Sequence, residues 1–160
     1  MRVLAVDPGY ERLGVAVLED GNNKERLLFS TCIETGKTLS VAERLSVLGA
    51  SLEALLSEHV PDVVAVETLF FNKNVLTAIA VAEARGVVLY LAQVAGCPVR
   101  EFGPQEIKVA VTGYGRSDKR AVIDMVKRLL PDAPERALDD EYDAIAIGIT
   151  ALAHQRTSIS

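Results

Sequence analysis

Arg2-Val3-Leu4-Ala5-Val6-Asp7-Pro8-Gly9, followed by Gly14-Val15-Ala16-Val17-Leu18, is the stretch on which the fold turns. Two apolar runs are separated by the turn formers Asp7-Pro8-Gly9 and a few polar residues, which predicts a β-hairpin. Residues 26–35 supply a third strand, and three strands joined by short turns predict antiparallel pairing at the start of a sheet. Beyond them Ser40 and Glu43 stand at capping-box spacing, and Val41, Leu45, Leu48, Leu52, Leu55 and Leu56 recur at helical intervals. An amphipathic helix is therefore predicted to run to about His59 and stop before Pro61.

Val63-Val64-Ala65-Val66 is dense enough in β-branched residues for a strand buried on both faces, and it ends on the charged Glu67. Residues 74–95, rich in alanine with Gly86 as the internal glycine, predict a long helix that another backbone can approach closely. Residues 98–102 read as a last strand. Pro104 can open a short helix that Gly113 and Gly115 break, Ser117 is placed to cap the next, and Pro131 and Pro134 end that one. Asp139 or Asp140 then starts a final helix through Asp143, Ile145, Ile149 and Leu152. An antiparallel start followed by parallel strands with helical crossovers is an α/β domain with a mixed sheet flanked by helices, a pattern that fits a ribonuclease H-like layout.

With 160 residues, 49% of them hydrophobic, one core and a single domain spanning 1–160 are expected. The apolar opening reaches Asp7 too soon for a secretory signal, and no stretch is expected to approach the ~20 apolar residues of a membrane span. Cys32 and Cys97 lack metal-ligand spacing and read as two buried thiols, which points to a reducing, cytoplasmic setting. The net charge of −5 speaks against nucleic acid as a global average. Its distribution differs: residues 70–130 carry nine basic against five acidic side chains, net +4, which leaves −9 for the remainder. A basic middle third could take an anion while carboxylates elsewhere take cations, and a solvated mixed surface accounts for the charge equally well.

The acids have a particular placement. Asp7 ends the first strand, Glu67 ends what reads as the central strand, and Asp140 with Asp143 starts a helix. If strands one and four are neighbours, Asp7 and Glu67 leave the same edge, and a helix packed across it delivers Asp140 and Asp143 from one face. Carboxylates gathered this way repel, by about 4 kcal/mol per pair at ~4 Å and an effective dielectric near 20. A hard divalent cation offsets that, and Mg²⁺ keeps waters and phosphate oxygens in its shell. Two such ions ~4 Å apart can hold the attacking water and leaving oxygen of a phosphodiester in line. The plainer alternatives are that Asp7 satisfies its own turn and that Asp139 or Asp140 only caps a helix. Glu67 close to Phe70 and Phe71, and Asp143 among Tyr142, Ala144 and Ile145, are harder to leave uncompensated.

These residues resemble the RuvC family of Holliday-junction resolvases. Asp7-Pro8-Gly9 is similar to the family's opening, and Glu67-Thr68-Leu69-Phe70-Phe71-Asn72-Lys73-Asn74 to its Glu-x-x-Phe-x-x-Lys-Asn segment. Ala84-Arg85-Gly86 inside the long helix, Lys108 and Lys119 about a Gly-x-Gly turn, and Asp140-Glu141-Tyr142-Asp143-Ala144-Ile145 follow in the family's order. The resemblance implies a homodimer that nicks a four-way DNA junction at symmetric points with Mg²⁺ or Mn²⁺. It further implies Asp7, Glu67, Asp140 and Asp143 as metal ligands and catalytic acids, and Lys119, with Lys108, at the scissile phosphate. Phe70 would stack on crossover bases, Lys73, Arg116 and Arg120 would join the DNA-binding surface, and the 74–95 helix would supply the dimer contact. A branch-migration helicase complex is a further partner in that setting, although no residue specifies one.

Three other readings remain. The 7–17 hairpin also resembles the opening of YqgF nucleases, which act in ribosomal RNA maturation but generally lack the Glu67 to Asn74 pattern. Actin-like and sugar-kinase ATPases share an Asp-x-Gly hairpin, yet need a second related domain for which 160 residues leave no room. A non-catalytic junction-binding module would have little use for four acids. His154, late in the last helix, reads as a packing residue.

Overall fold

The computed structural model describes residues 1–9, 11–21, 24–69 and 75–158, without the side chains of 75, 76 and 156–158. Within them the chain forms β1 (Arg2–Asp7), β2 (Arg12–Asp20), β3 (Glu25–Glu34), α1 (Val41–His59), β4 (Val63–Glu67), α2 (Val75–Val94), β5 (Val99–Phe102), α3 (Pro104–Thr112), α4 (Lys119–Leu129) and α5 (Asp139–Ser158). The strands make one sheet in the order β3-β2-β1-β4-β5. The first three strands pair antiparallel, whereas β4 runs parallel to both β1 and β5. The central strand is thus β1, and β4, read from the sequence as central, lies beside it. In register Val6 faces Val66, so Asp7 and Glu67 leave the sheet side by side.

Alternation along the strands sorts the core into two layers. Leu4, Val6, Val15, Val17, Val64 and Val66 pack on α1 and α2. Val3, Ala5, Ala16, Leu18, Val63 and Ala65 pack on α3, α4 and α5. The same parity puts Asp7 and Glu67 on the α5 side. There α5 lies close against β2 because two positions carry no side chain. A Cβ on Gly14 would stand 1.9 Å from the Asp140 carbonyl oxygen, and one on Gly148 would stand 2.2 Å from Leu18 Cδ1. The first meets backbone, so it could not be accommodated without moving the helix that carries Asp140 and Asp143, whereas the second would displace the Leu18 side chain.

Helix ends follow the expected chemistry with two corrections. Ser40 and Glu43 form the capping box of α1, and α3 has Pro104 in its first turn and ends on Gly113 in the left-handed region. The cap of α4 is Asp118, which accepts from Ala121 N–H, and not Ser117. The Ser117 hydroxyl is used instead by the Tyr114 carbonyl. Asp139, Asp140 and Glu141 occupy the first turn of α5 itself rather than capping it, where the helix dipole favours acids.

Two further expectations change. Cys97 is buried and Cys32 half-buried, both as free thiols. Residues Thr77–Val94 of α2 are long and apolar enough, by length and composition, to cross a membrane, although the sequence reading found no such stretch. Part of that apolarity serves the core: Ala84, Val88 and Ala92, one helical turn apart, join the layer under the sheet, whereas Ile79, Tyr90 and Val94 are exposed, and Arg85 pairs with Glu101 of β5.

Gly14→Ala is expected to lower stability by about 1–3 kcal/mol, a Tm loss of roughly 3–10 °C, through the clash with the Asp140 carbonyl. Thermal melts check this; an unchanged Tm would mean that α5 does not rest on β2 so closely.

Candidate active site

Local structure delivers each group. Asp7 ends β1, Glu67 ends β4, Asp140 and Asp143 extend from the start of α5, Lys108 comes from α3, and Lys119 opens α4 directly after its cap. Glu67, Lys108, Lys119 and Asp143 line one pocket of about 220 Å³, walled on its apolar side by Pro104, Ile107, Val122, Ala146 and Ile147. Asp7 stands close enough to feel the charges of Asp143, Glu67 and Asp140. Elements far apart in sequence therefore bring all four predicted acids into one electrostatic cluster.

The cluster strains against its own charge. Burial first, then the Asp143, Glu67 and Asp140 carboxylates, push the Asp7 acid up to about 8, with Lys119 pulling the other way. Burial and Asp143 raise Glu67 against the pull of Lys108 and Lys119. Asp143 is raised chiefly by burial, against its hydrogen bond to Lys119. Burial alone would lower the Lys119 ammonium, but the hydrogen bond and charge of Asp143, and then Asp139, lift it above its ordinary value. Lys119 Nζ lies 2.9 Å from Asp143 Oδ2 and 3.4 Å from Asp139 Oδ2. Arg12 Nε stands 3.3 Å from Asp140 Oδ2, an ion pair without hydrogen-bond alignment.

An all-oxygen donor set fits a hard divalent cation. Among the described residues no three His, Cys, Asp or Glu side chains gather tightly enough to hold an ion by themselves. Water and substrate phosphate oxygens can complete the shell of such a cation. The raised acids carry the fit: positive charge beyond that of Lys119 would favour the ionised forms of Asp7 and Glu67.

The remaining predicted residues divide. Arg116 and Arg120 are exposed on either side of Lys119, Arg116 before α4 and Arg120 in its first turn. Phe70 and Lys73 lie outside the described residues. His154 is held away from the acids: its Nε2 meets Glu106 Oε1 at 2.9 Å, its Nδ1 lies 3.0 Å from the Thr150 carbonyl, and its ring tilts against Phe102. Two participants escaped the sequence reading. Arg12 gave no signal beyond a basic residue at the start of a strand, and Asp139, weighed as a cap, is a second partner of Lys119.

The sequence matches the family model for the crossover junction endodeoxyribonuclease RuvC over residues 3–151. The chain belongs to the RuvC family. The RuvC of Thermosipho melanesiensis is 45% identical over 147 residues, covering 92% of this chain and 94% of that protein. The RuvC of Thermomicrobium roseum is 44% identical over 160 residues, covering 99% and 96%. Among solved structures, Thermus thermophilus RuvC in complex with Holliday junction substrate superposes with a TM-score of 0.92 at 33% identity, covering 99% of this chain and 96% of that one. The five-stranded mixed sheet is therefore the ribonuclease H-like sheet of RuvC, and the YqgF-like and ATPase readings of the first hairpin are not favoured.

The Asp7 proton has a consequence for stability. In metal-free protein the folded state keeps it to a pH of about 8, whereas an unfolded aspartate releases it near 3.8. Between those values the folded state binds the extra proton, so stability falls as pH rises through the window. Asp7→Asn, which cannot ionise, is expected to raise Tm in EDTA at pH 8 by roughly 3–10 °C, for about 1–3 kcal/mol, and to change it little at pH 4. Melts across pH measure this, and a variant less stable than wild type at pH 8 would contradict it.

Proposed function

We propose that this chain is a structure-specific endonuclease that resolves four-way DNA junctions in recombination and repair. It would do so by paired, symmetric nicks in strands of like polarity, through phosphodiester hydrolysis assisted by two Mg²⁺ ions, with Mn²⁺ able to substitute. The observation that carries this reading is the convergence of Asp7, Glu67, Asp140 and Asp143 beside Lys119, in a chain of the RuvC family. A relative one-third identical over nearly the whole chain has been captured with a Holliday junction.

In this reading the four acids hold the metal, which supplies Lewis-acid stabilisation of charge on the attacking and leaving oxygens. Lys119, half-exposed at the pocket, can turn from Asp143 towards a phosphate oxygen and stabilise charge that develops there. Lys108 lines the same pocket as a second cation. Arg116 and Arg120 extend the basic surface along the strand, with Phe70 stacking on a crossover base and Lys73 beside it. Two symmetric nicks call for two sites, and α2 offers the contact for a homodimer through its exposed Ile79, Tyr90 and Val94. The enzyme would work in the cytoplasm as a single domain, with a branch-migration helicase as a further partner.

A synthetic four-way junction incubated with and without Mg²⁺ tests the activity. Paired symmetric nicks that vanish in EDTA are expected; tighter binding and cleavage of structured RNA would overturn the choice of substrate. Glu67→Gln and Asp7→Asn are expected to abolish nicking while sparing junction binding, because a ligand is lost and the basic surface remains. Lys119→Ala should slow nicking by about 10²–10³; an unchanged rate would remove it from the site.

A further inference from the structure

The connection between α3 and α4 carries a large side chain that the acids and lysines do not use. Tyr114 stands between Gly113, in the left-handed region at φ 77, and Gly115, and it is 60% exposed. Its backbone is tied from both sides. The N–H donates to Thr112 Oγ1 at 3.2 Å, and Thr112 Oγ1 in turn donates to the Lys108 carbonyl at 2.7 Å. The Tyr114 carbonyl accepts from the Ser117 N–H at 3.1 Å and from the Ser117 hydroxyl at 2.8 Å. The ring itself makes no hydrogen bond or aromatic contact among the described residues. These bonds fix the backbone beneath the ring before anything binds, which leaves only the ring's own rotation to be ordered.

Its surroundings indicate what that is. Gly115 lets the turn fold onto Val109, since a Cβ there would lie 3.2 Å from Val109 Cγ2, and Val109 is itself half-exposed. The apolar pair sits on a segment with Lys108, Arg116, Lys119 and Arg120. The segment's nearby acids are engaged: Asp118 caps α4, and Glu106 accepts from Gly103 N–H and pairs with His154. An aromatic ring on the same segment as several cations suits a nucleic-acid strand, whose phosphates meet the cations and whose bases meet the ring.

We infer that Tyr114 is a substrate-contacting residue whose ring stacks on a nucleobase of the strand that leads its phosphate to Lys119. The inference rests on the nuclease reading above and adds a base contact from the α3–α4 turn. Phosphate contact through the phenol is the weaker alternative, because the lysines and arginines of the same segment already suit phosphates.

The chain has no tryptophan, so Tyr114→Trp introduces a single indole reporter. Titrating this variant with a synthetic four-way junction in EDTA is expected to quench its emission at the concentrations that saturate binding. Tyr114→Ala is expected to raise the KM for junction nicking at least about tenfold with kcat little changed, and Tyr114→Phe to keep the wild-type KM. All three variants should melt as wild type does. Emission that the junction leaves unmoved, or a Tyr114→Ala KM equal to that of a wild type that nicks normally, would overturn the role of Tyr114 alone. A rise of KM in Tyr114→Phe equal to that in Tyr114→Ala would replace stacking by a phenol contact. A wild type that neither binds nor nicks the junction would overturn the nuclease reading and this inference together.

Discussion

Carboxylates forced together at one edge of a sheet govern this molecule. Parallel pairing of β1 with β4 sets Asp7 beside Glu67, and α5 brings Asp143 and Asp140 to the same place. Burial first, and then their mutual repulsion, makes Asp7 hold its proton to about pH 8, and Lys119 lies on Asp143 and Asp139. Lys119, with Lys108 near Glu67 and Arg12 on Asp140, still leaves Asp7 and Glu67 raised. A protein that keeps such a cluster loses stability to it, which makes sense where divalent cations restore the balance during function.

The scaffold accepts further constraints to hold the cluster in place. Gly14 and Gly148 leave α5 no distance from β2, and Asp118 fixes the first residue of α4 so that Lys119 opens onto the pocket. The two cores on either side of the sheet keep these elements in register, because a slip of one residue along β1 would turn Asp7 to the opposite face. Stability and chemistry therefore meet at the same residues, and a change at Gly14 reaches the acids through the backbone of Asp140.

Much of this was legible in the residues. Periodicity gave the strands and helices, the capping box of α1 stood at its expected spacing, and acids at strand ends pointed to a shared edge. Sequence could not rank the strands, since β1 and β4 are both apolar runs and only pairing makes β1 central. It misplaced the α4 cap, because Ser117 and Asp118 are both good caps and only the turn consumes the serine hydroxyl. It also expected Asp139 or Asp140 to begin the last helix as its cap, with Asp140 among the ligands, whereas α5 already includes Asp139 and sets the two acids beside Lys119 and Arg12. The pairing of Arg12 with Asp140 emerges only from a tertiary contact, and the setting of Tyr114 from the hydrogen bonds of the α3–α4 turn.

The central claim is that the acid cluster is a divalent-cation site. Crystals soaked in Mn²⁺ and measured for anomalous scattering test it most directly. Peaks within coordination distance of Asp7, Glu67 and Asp143, with Lys119 displaced from Asp143, are the predicted result. Ordered manganese elsewhere with none at these carboxylates would contradict it.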